Sequence, residues 1–174
     1  MSETGDWQEA PIARTHDRAR FDCGVEALNT YLQRYARQNH VGGGAKTFVA
    51  TPRSEPTRII GYYAISPGEI EFASVPSIVS QGLGRYDVPV FRLGRLAIDR
   101  SVQGLGYGSA LLALAATRAI HVSELVGGVA LAIDAIDSRA AAWYERHGAL
   151  RLLDDPLKLV LPLSTIAAAD RQTR

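Results

Sequence analysis

A single cysteine in 174 residues, Cys23, leaves no disulfide to form and no thiol cluster to hold a metal. The four histidines, His16, His40, His121 and His147, show no i, i+4 pair and no metal-ligand spacing, so no metal is expected. Charge of neither sign prevails: 19 Lys and Arg stand against 18 Asp and Glu, so no global field selects nucleic acid or an anionic membrane. No apolar run reads as long enough to span a bilayer, and the opening MSETGDWQEAPIARTHDRAR lacks a signal-peptide core. The expectation is a cytoplasmic protein. Repeats, low-complexity tracts and interdomain linkers are missing too, and 47% hydrophobic residues suit one compact domain with a single core. One absence is local. Between Asn29 and Ser54 there is no acid, while Arg34, Arg37, Lys46 and Arg53 all fall there.

The patterning that is present alternates strands with helices. In VEALNTYLQRYARQ, Val25, Leu28, Leu32, Tyr35 and Ala36 share one face at helical spacing, and Gly42 to Gly44 end that element. KTFVAT and RIIGYYAIS read as strands, GEIEFASV continues the second, and PSIVSQGLGRYDVP reads as a long loop. VFRLGRLAID is a mostly apolar, central-strand segment. SALLALAATRAIHVSEL is a helix rich in Ala and Leu, and GGVALAIDAI a buried strand. DSRAAAWYERHGA reads as a short helix capped by Asp137 or Ser138 and stopped by Gly148. LKLVLPL is the last strand, and the tail STIAAADRQTR reads as weakly ordered. Together these give an α/β or α+β domain on a mixed sheet.

SVQGLGYGSALL places three glycines at alternate positions just before a helix. A helix N-terminus offers unpaired amides and partial positive charge, and glycines let a backbone come close at positive φ, so a phosphate fits there. The dinucleotide fingerprint fails, because its third glycine would fall at Ser109, and a Walker loop fails for want of lysine. A tight turn with close helix–sheet packing remains the competing reading.

Q-x-x-G-x-G at Gln103, Gly106 and Gly108 resembles the acetyl-CoA signature of the GNAT N-acetyltransferases, and AAAWYERHGA resembles that family's later helix. Upstream, RFDCGVEALNTYL, KTFVAT, IIGYYAIS and VPVFRLGRLAIDRSVQGLGYGSALL resemble the GNAT-type toxins of bacterial toxin–antitoxin modules, the TacT and AtaT group, from about Arg20 to about Leu163. Ala149 departs from the pattern, standing where relatives usually carry phenylalanine.

The resemblance implies a single GNAT domain over residues 1–174, its core at about 20–163, with a mostly antiparallel sheet flanked by helices and splayed at the acetyl-CoA strand. It implies acetyl-CoA as cosubstrate, held by the backbone of Leu96, Ala97 and Ile98 and by Gln103, Gly104, Leu105, Gly106, Tyr107, Gly108 and Ser109. It makes Tyr144 the acid that protonates the departing thiolate, where pattern alone would make it a core tyrosine. The expected acceptor is the α-amino group of aminoacyl-tRNA, with translation blocked as the result. The expected partners are a ribbon-helix-helix antitoxin and a second copy of the chain. Arg34, Arg37, Lys46, Arg85, Arg92 and Arg95 are the candidate tRNA contacts, although charged residues are more often simply solvated, and Arg92 and Arg95 suit CoA or an acidic antitoxin segment equally. Cys23 reads as a small buried hydrophobe rather than an acyl-accepting nucleophile. The rival readings are an acetyltransferase for a small amine, an antibiotic or a protein N-terminus, and a non-catalytic CoA-binding module.

Overall fold

The structure, a computed structural model, describes residues 6–172. They form a seven-stranded sheet in the order β1-β2-β3-β4-β5-β7-β6. Its strands are β1 (Trp7–Pro11), β2 (Lys46–Pro52), β3 (Gly61–Ile70), β4 (Val88–Ile98), β5 (Ala130–Asp134), β6 (Leu150–Arg151) and β7 (Lys158–Pro162). The helices are α1 (Glu26–Thr30), α2 (Ala36–Gly42), α3 (Ser77–Ser80), α4 (Tyr107–Val126), α5 (Ser138–Arg146) and α6 (Leu163–Gln172). The chain divides into two compact units: residues up to Ser66 with Arg95–Leu114, and Pro67–Gly94 with the residues from Ala115 on.

In the first unit, β2 pairs antiparallel with β1, Ala10 opposite Val49, and with β3, Phe48 opposite Tyr63. The helical stretch after Val25 packs Leu32 and Ala36 into a core with Phe21, Val49, Ile59 and Tyr62. Its apolar face is not the one a plain 3.6-residue period gives. Residues Tyr31–Tyr35 form a wide π turn, and the Ala36 amide reaches back five residues to the Tyr31 carbonyl. The extra residue rotates the face, so Tyr31 is 5% exposed and buried beside Ala36, while Tyr35, expected inside, is 52% exposed. Gly43 closes α2 at φ +82°, in the left-handed region, as the glycine run leads one to expect.

In the second unit, β5 pairs parallel with β4 and antiparallel with β7. The β4–β5 register covers Phe91 to Leu93 and no residue beyond. Val75, Val79, Val88, Val90, Ala130, Ala132 and Val160 make its core on one sheet face. Four expectations are corrected here and in the first unit. The segment read as a long loop contains α3, which buries Val79; GEIEFASV leaves the sheet at Ile70 and turns through a 3-10 segment, Phe72–Ser74. The tail read as weakly ordered forms α6, anchored by the Leu163 amide on the Val129 carbonyl. The core begins before Arg20, since β1 is paired throughout and Ile12 is buried.

The expectation that no apolar segment is long enough to cross a membrane is also corrected. By length and composition α4 qualifies, with 20 residues and a mean hydropathy of 1.3. Its Leu111, Ala115, Ala116 and Ala119 are at most 1% exposed, so one face of the helix is buried.

β5 is approached through Gly128, at φ +116°, where a Cβ would collide with the Phe91 ring. Backbone strain and overpacking then act together, so Gly128→Ala is expected to cost about 2–5 kcal/mol. Urea unfolding followed by circular dichroism would show it, and an unchanged midpoint would refute the account.

Candidate active site

The glycine segment leaves β4 through a 3-10 turn, Arg100–Val102, capped by the Asp99 carboxylate on the Ser101 amide. Gly104 and Gly106 then take φ +79° and +90°, conformations L side chains rarely adopt. At both positions a Cβ would meet nothing within 4 Å, so the backbone faces open space. α4 begins at Tyr107, one residue later, and its first-turn amides lead onto the same loop. Such a cradle fits a pyrophosphate, which wants amide donors, positive potential and no intervening side chain. Tyr107 is braced from outside the motif by the Trp7 ring, edge-on at 5.8 Å.

The Gln103 side-chain amide is engaged within the first unit. Its Nε2 donates to the Cys23 carbonyl at 2.9 Å and the Ile98 carbonyl at 2.8 Å, so both amide hydrogens serve the chain itself. The Ala97 side chain is buried in the first unit's core, leaving only its backbone available to a ligand.

In the second unit, α5 carries Tyr144. Asp137 caps the helix by accepting from the Ala140 amide at 2.8 Å, and the chain leaves it through Gly148 at φ +97°. Tyr144 is 8% exposed and packs edge-on against Trp143 with ring centroids 5.0 Å apart. Its hydroxyl has no hydrogen-bond partner among the described residues. Burial pushes its pKa up from the ordinary tyrosine value, so the group is a neutral phenol at physiological pH. A phenol so placed carries its proton but is a weaker acid than an exposed tyrosine.

The cationic residues separate into distinct settings. Arg34 is exposed on the π turn, Arg37 is half-buried one turn on, and Lys46 donates to the His40 carbonyl at 2.8 Å. Arg95 lies over the buried Tyr31 ring, 3.7 Å from its centroid, a cation–π contact that holds the guanidinium in place. In the second unit Arg85 is exposed, whereas Arg92 is paired with Asp134 at 3.2 Å. Arg92 lines a cavity of about 260 Å³ with Glu69, Glu71, Asp134, Asp154 and Lys158. Four carboxylates against two cations make that a poor phosphate site. Cys23 is buried and its thiol is pushed up by burial, in keeping with a structural residue.

Sequence reasoning missed Trp7, Asp22, Asn29 and Tyr31. The D-x-G spacing of Asp22 and Gly24 was a usable turn signal; the stacking of Arg95 on Tyr31 depends on the π turn and had none.

The chain belongs to the acetyltransferase (GNAT) domain family, which it matches over residues 43–148. Within that class it is 35% identical over 150 residues to the tRNA-acetylating toxin of Mycobacterium tuberculosis (strain ATCC 25618 / H37Rv), spanning 86% of this chain and 88% of that protein. Its structure is similar to that of AtaT complexed with acetyl-methionyl-tRNAfMet, with a TM-score of 0.88 and 28% identity over 95% of this chain and 99% of AtaT. It is also similar to a tyrosine-to-phenylalanine mutant of AtaT bound to the C-terminus of the antitoxin AtaR and acetyl-CoA. There the TM-score is 0.80 and the identity 28%, over 94% of this chain and 97% of the mutant. The chain is therefore a GNAT acetyltransferase.

Proposed function

We propose that this enzyme is a toxin that transfers acetyl from acetyl-CoA to the α-amino group of aminoacyl-tRNA and so blocks translation. The observation that carries the reading is its similarity, over 86% of the chain, to a tRNA-acetylating toxin. Acetyl-CoA supplies an activated acyl group on a thiolate leaving group. The open, positive-φ backbone at Gly104 and Gly106, with the first amides of α4, would hold its pyrophosphate, and the backbone of Leu96 to Ile98 its pantetheine arm. The aminoacyl amine, less basic than a free amino acid's, attacks as the neutral species without a covalent enzyme intermediate. Tyr144 gives its proton to the sulfur as it departs.

The acceptor would lie on the acid-free surface that carries Arg34, Arg37 and Lys46, with Arg95 fixed by Tyr31. Arg34→Glu with Arg37→Glu is expected to raise the apparent KM for charged tRNA and flatten its salt dependence, leaving acetyl-CoA affinity nearly constant. Equal salt slopes for the two proteins would count against these arginines. A second reading, a small cationic amine as acceptor, draws on one observation, the carboxylate-lined cavity around Asp134 and Glu71. Incubation with labelled acetyl-CoA, a charged-tRNA pool and a polyamine in competition decides between them by where the label appears.

The solved complex of an AtaT mutant with AtaR supports an antitoxin as partner; its ribbon-helix-helix class rests on the resemblance to the TacT and AtaT group alone. The exposed Leu125 and Val126 at the end of α4 support a homodimer. A tRNA substrate supports a cytoplasmic location.

A further inference from the structure

The FDCG tetrad at Phe21–Gly24 lies nearly eighty residues before the glycine segment and belongs to no part of the proposed chemistry. In the first unit the two are bonded to one another. The Asp99 carboxylate accepts from the Asp22 amide at 3.0 Å, and the Asp22 carbonyl accepts from the Arg100 amide at 2.8 Å. Gln103 Nε2 donates to the Cys23 carbonyl at 2.9 Å. The tetrad itself is rigid. Asp22 Oδ1 accepts from the Gly24 amide at 2.9 Å and from Asn29 Nδ2 at 3.0 Å. Asn29 Oδ1 accepts from the Cys23 amide at 2.9 Å. Asn29 is 7% exposed, so its bonds are shielded from water. Arg100 crosses Gly24 closely, since a Cβ there would stand 3.0 Å from its Nε, and its guanidinium is 3.7 Å from Asp22.

We propose that this tetrad is a brace for the acetyl-CoA loop, with Asp22 and Asn29 as positioning residues that set cofactor affinity without touching cofactor. The physical reason is preorganisation. A glycine loop has many conformations open to it, and ordering it on binding would subtract from the affinity its amides supply. Clamping Asp99, Arg100 and Gln103 just ahead of Gly104 restricts those conformations before the ligand arrives. The brace rests on the assignment of that loop to acetyl-CoA.

The test is calorimetric titration of acetyl-CoA into Asp22→Ala, Asn29→Ala and Asp22→Asn, with kcat measured at saturating acetyl-CoA. Asp22→Ala and Asn29→Ala are expected to weaken binding about tenfold or more, with kcat within about threefold of wild type. Asp22→Asn keeps the accepting oxygen and should bind within about threefold of wild type. Asp22 is exposed, so its alanine variant leaves the core intact and carries the test even where Asn29→Ala does not fold. Ile12→Val, a thinning of the same unit's core, serves as the control for general destabilisation. Unchanged affinity in folded Asp22→Ala overturns the brace, as does equal weakening in Ile12→Val at matched thermal stability. Wild-type affinity in Gly106→Asp would instead sink the cofactor assignment, and the brace with it.

Discussion

Tyr144→Phe is expected to slow acetyl transfer by about 10²–10⁴-fold, roughly 3–5 kcal/mol of barrier, while acetyl-CoA binding hardly changes. The substitution removes one oxygen and keeps the ring, so the edge-on contact with Trp143 and the Asp137-capped helix should survive. Because the hydroxyl has no partner among the described residues, its loss orphans no other polar group. Burial holds it protonated around neutrality, so the effect should be on kcat and without an ionisation of its own there. The measurement is kcat on charged tRNA for a variant shown to be folded and to bind acetyl-CoA. A drop of less than about tenfold, under ~1.4 kcal/mol, would remove Tyr144 from the mechanism. In cells, wild type expressed without antitoxin should arrest growth and the variant should not.

Gly106→Asp should act on the opposite half of the kinetics. At φ +90° any side chain is strained, which costs about 1–3 kcal/mol, but a Cβ there meets no atom of the fold within 4 Å. On the proposed assignment the space it enters is the space the phosphates would need, and it brings a negative charge. Acetyl-CoA affinity is therefore expected to fall about 100-fold or more, equivalent to at least ~2.7 kcal/mol, in a protein that still folds. Gly106→Asn, with the same bulk and no charge, should lose less, and the difference should shrink as salt is raised. Calorimetry on the folded variants measures both, and wild-type affinity in the aspartate variant would end the assignment of the loop.

Much of this was legible along the chain. The strand before the glycines, the helix after them and the capped helix bearing Tyr144 are local features, written in side-chain periodicity, in a capping Asp137 and in stopping glycines. The glycine loop was legible as an anion cradle or a tight turn, and only the surrounding motifs tipped the balance. The tail was misread because its anchor is not local: the Leu163 amide donates to the carbonyl of Val129, more than thirty positions away. β1 went unseen because WQEAP shows no alternation of apolar and polar residues, and β6 because two residues can show no period; they exist because β2 and β7 offer edges to pair with.

By itself, then, the sequence determined most of the helices and strands, the positive-φ glycines, the tyrosine of α5 and the stretch without acids, because each is decided by residues within a few positions of one another. Tertiary structure decided which of those residues face inward or meet. The π turn at Tyr31 reversed the roles of Tyr31 and Tyr35 and set Arg95 on an aromatic face. The Gln103 side-chain amide met the Cys23 carbonyl, and Arg92 met Asp134. None of these follows from spacing, because a hydrogen bond or a stacked ring between residues tens of positions apart depends on where the whole chain brings them.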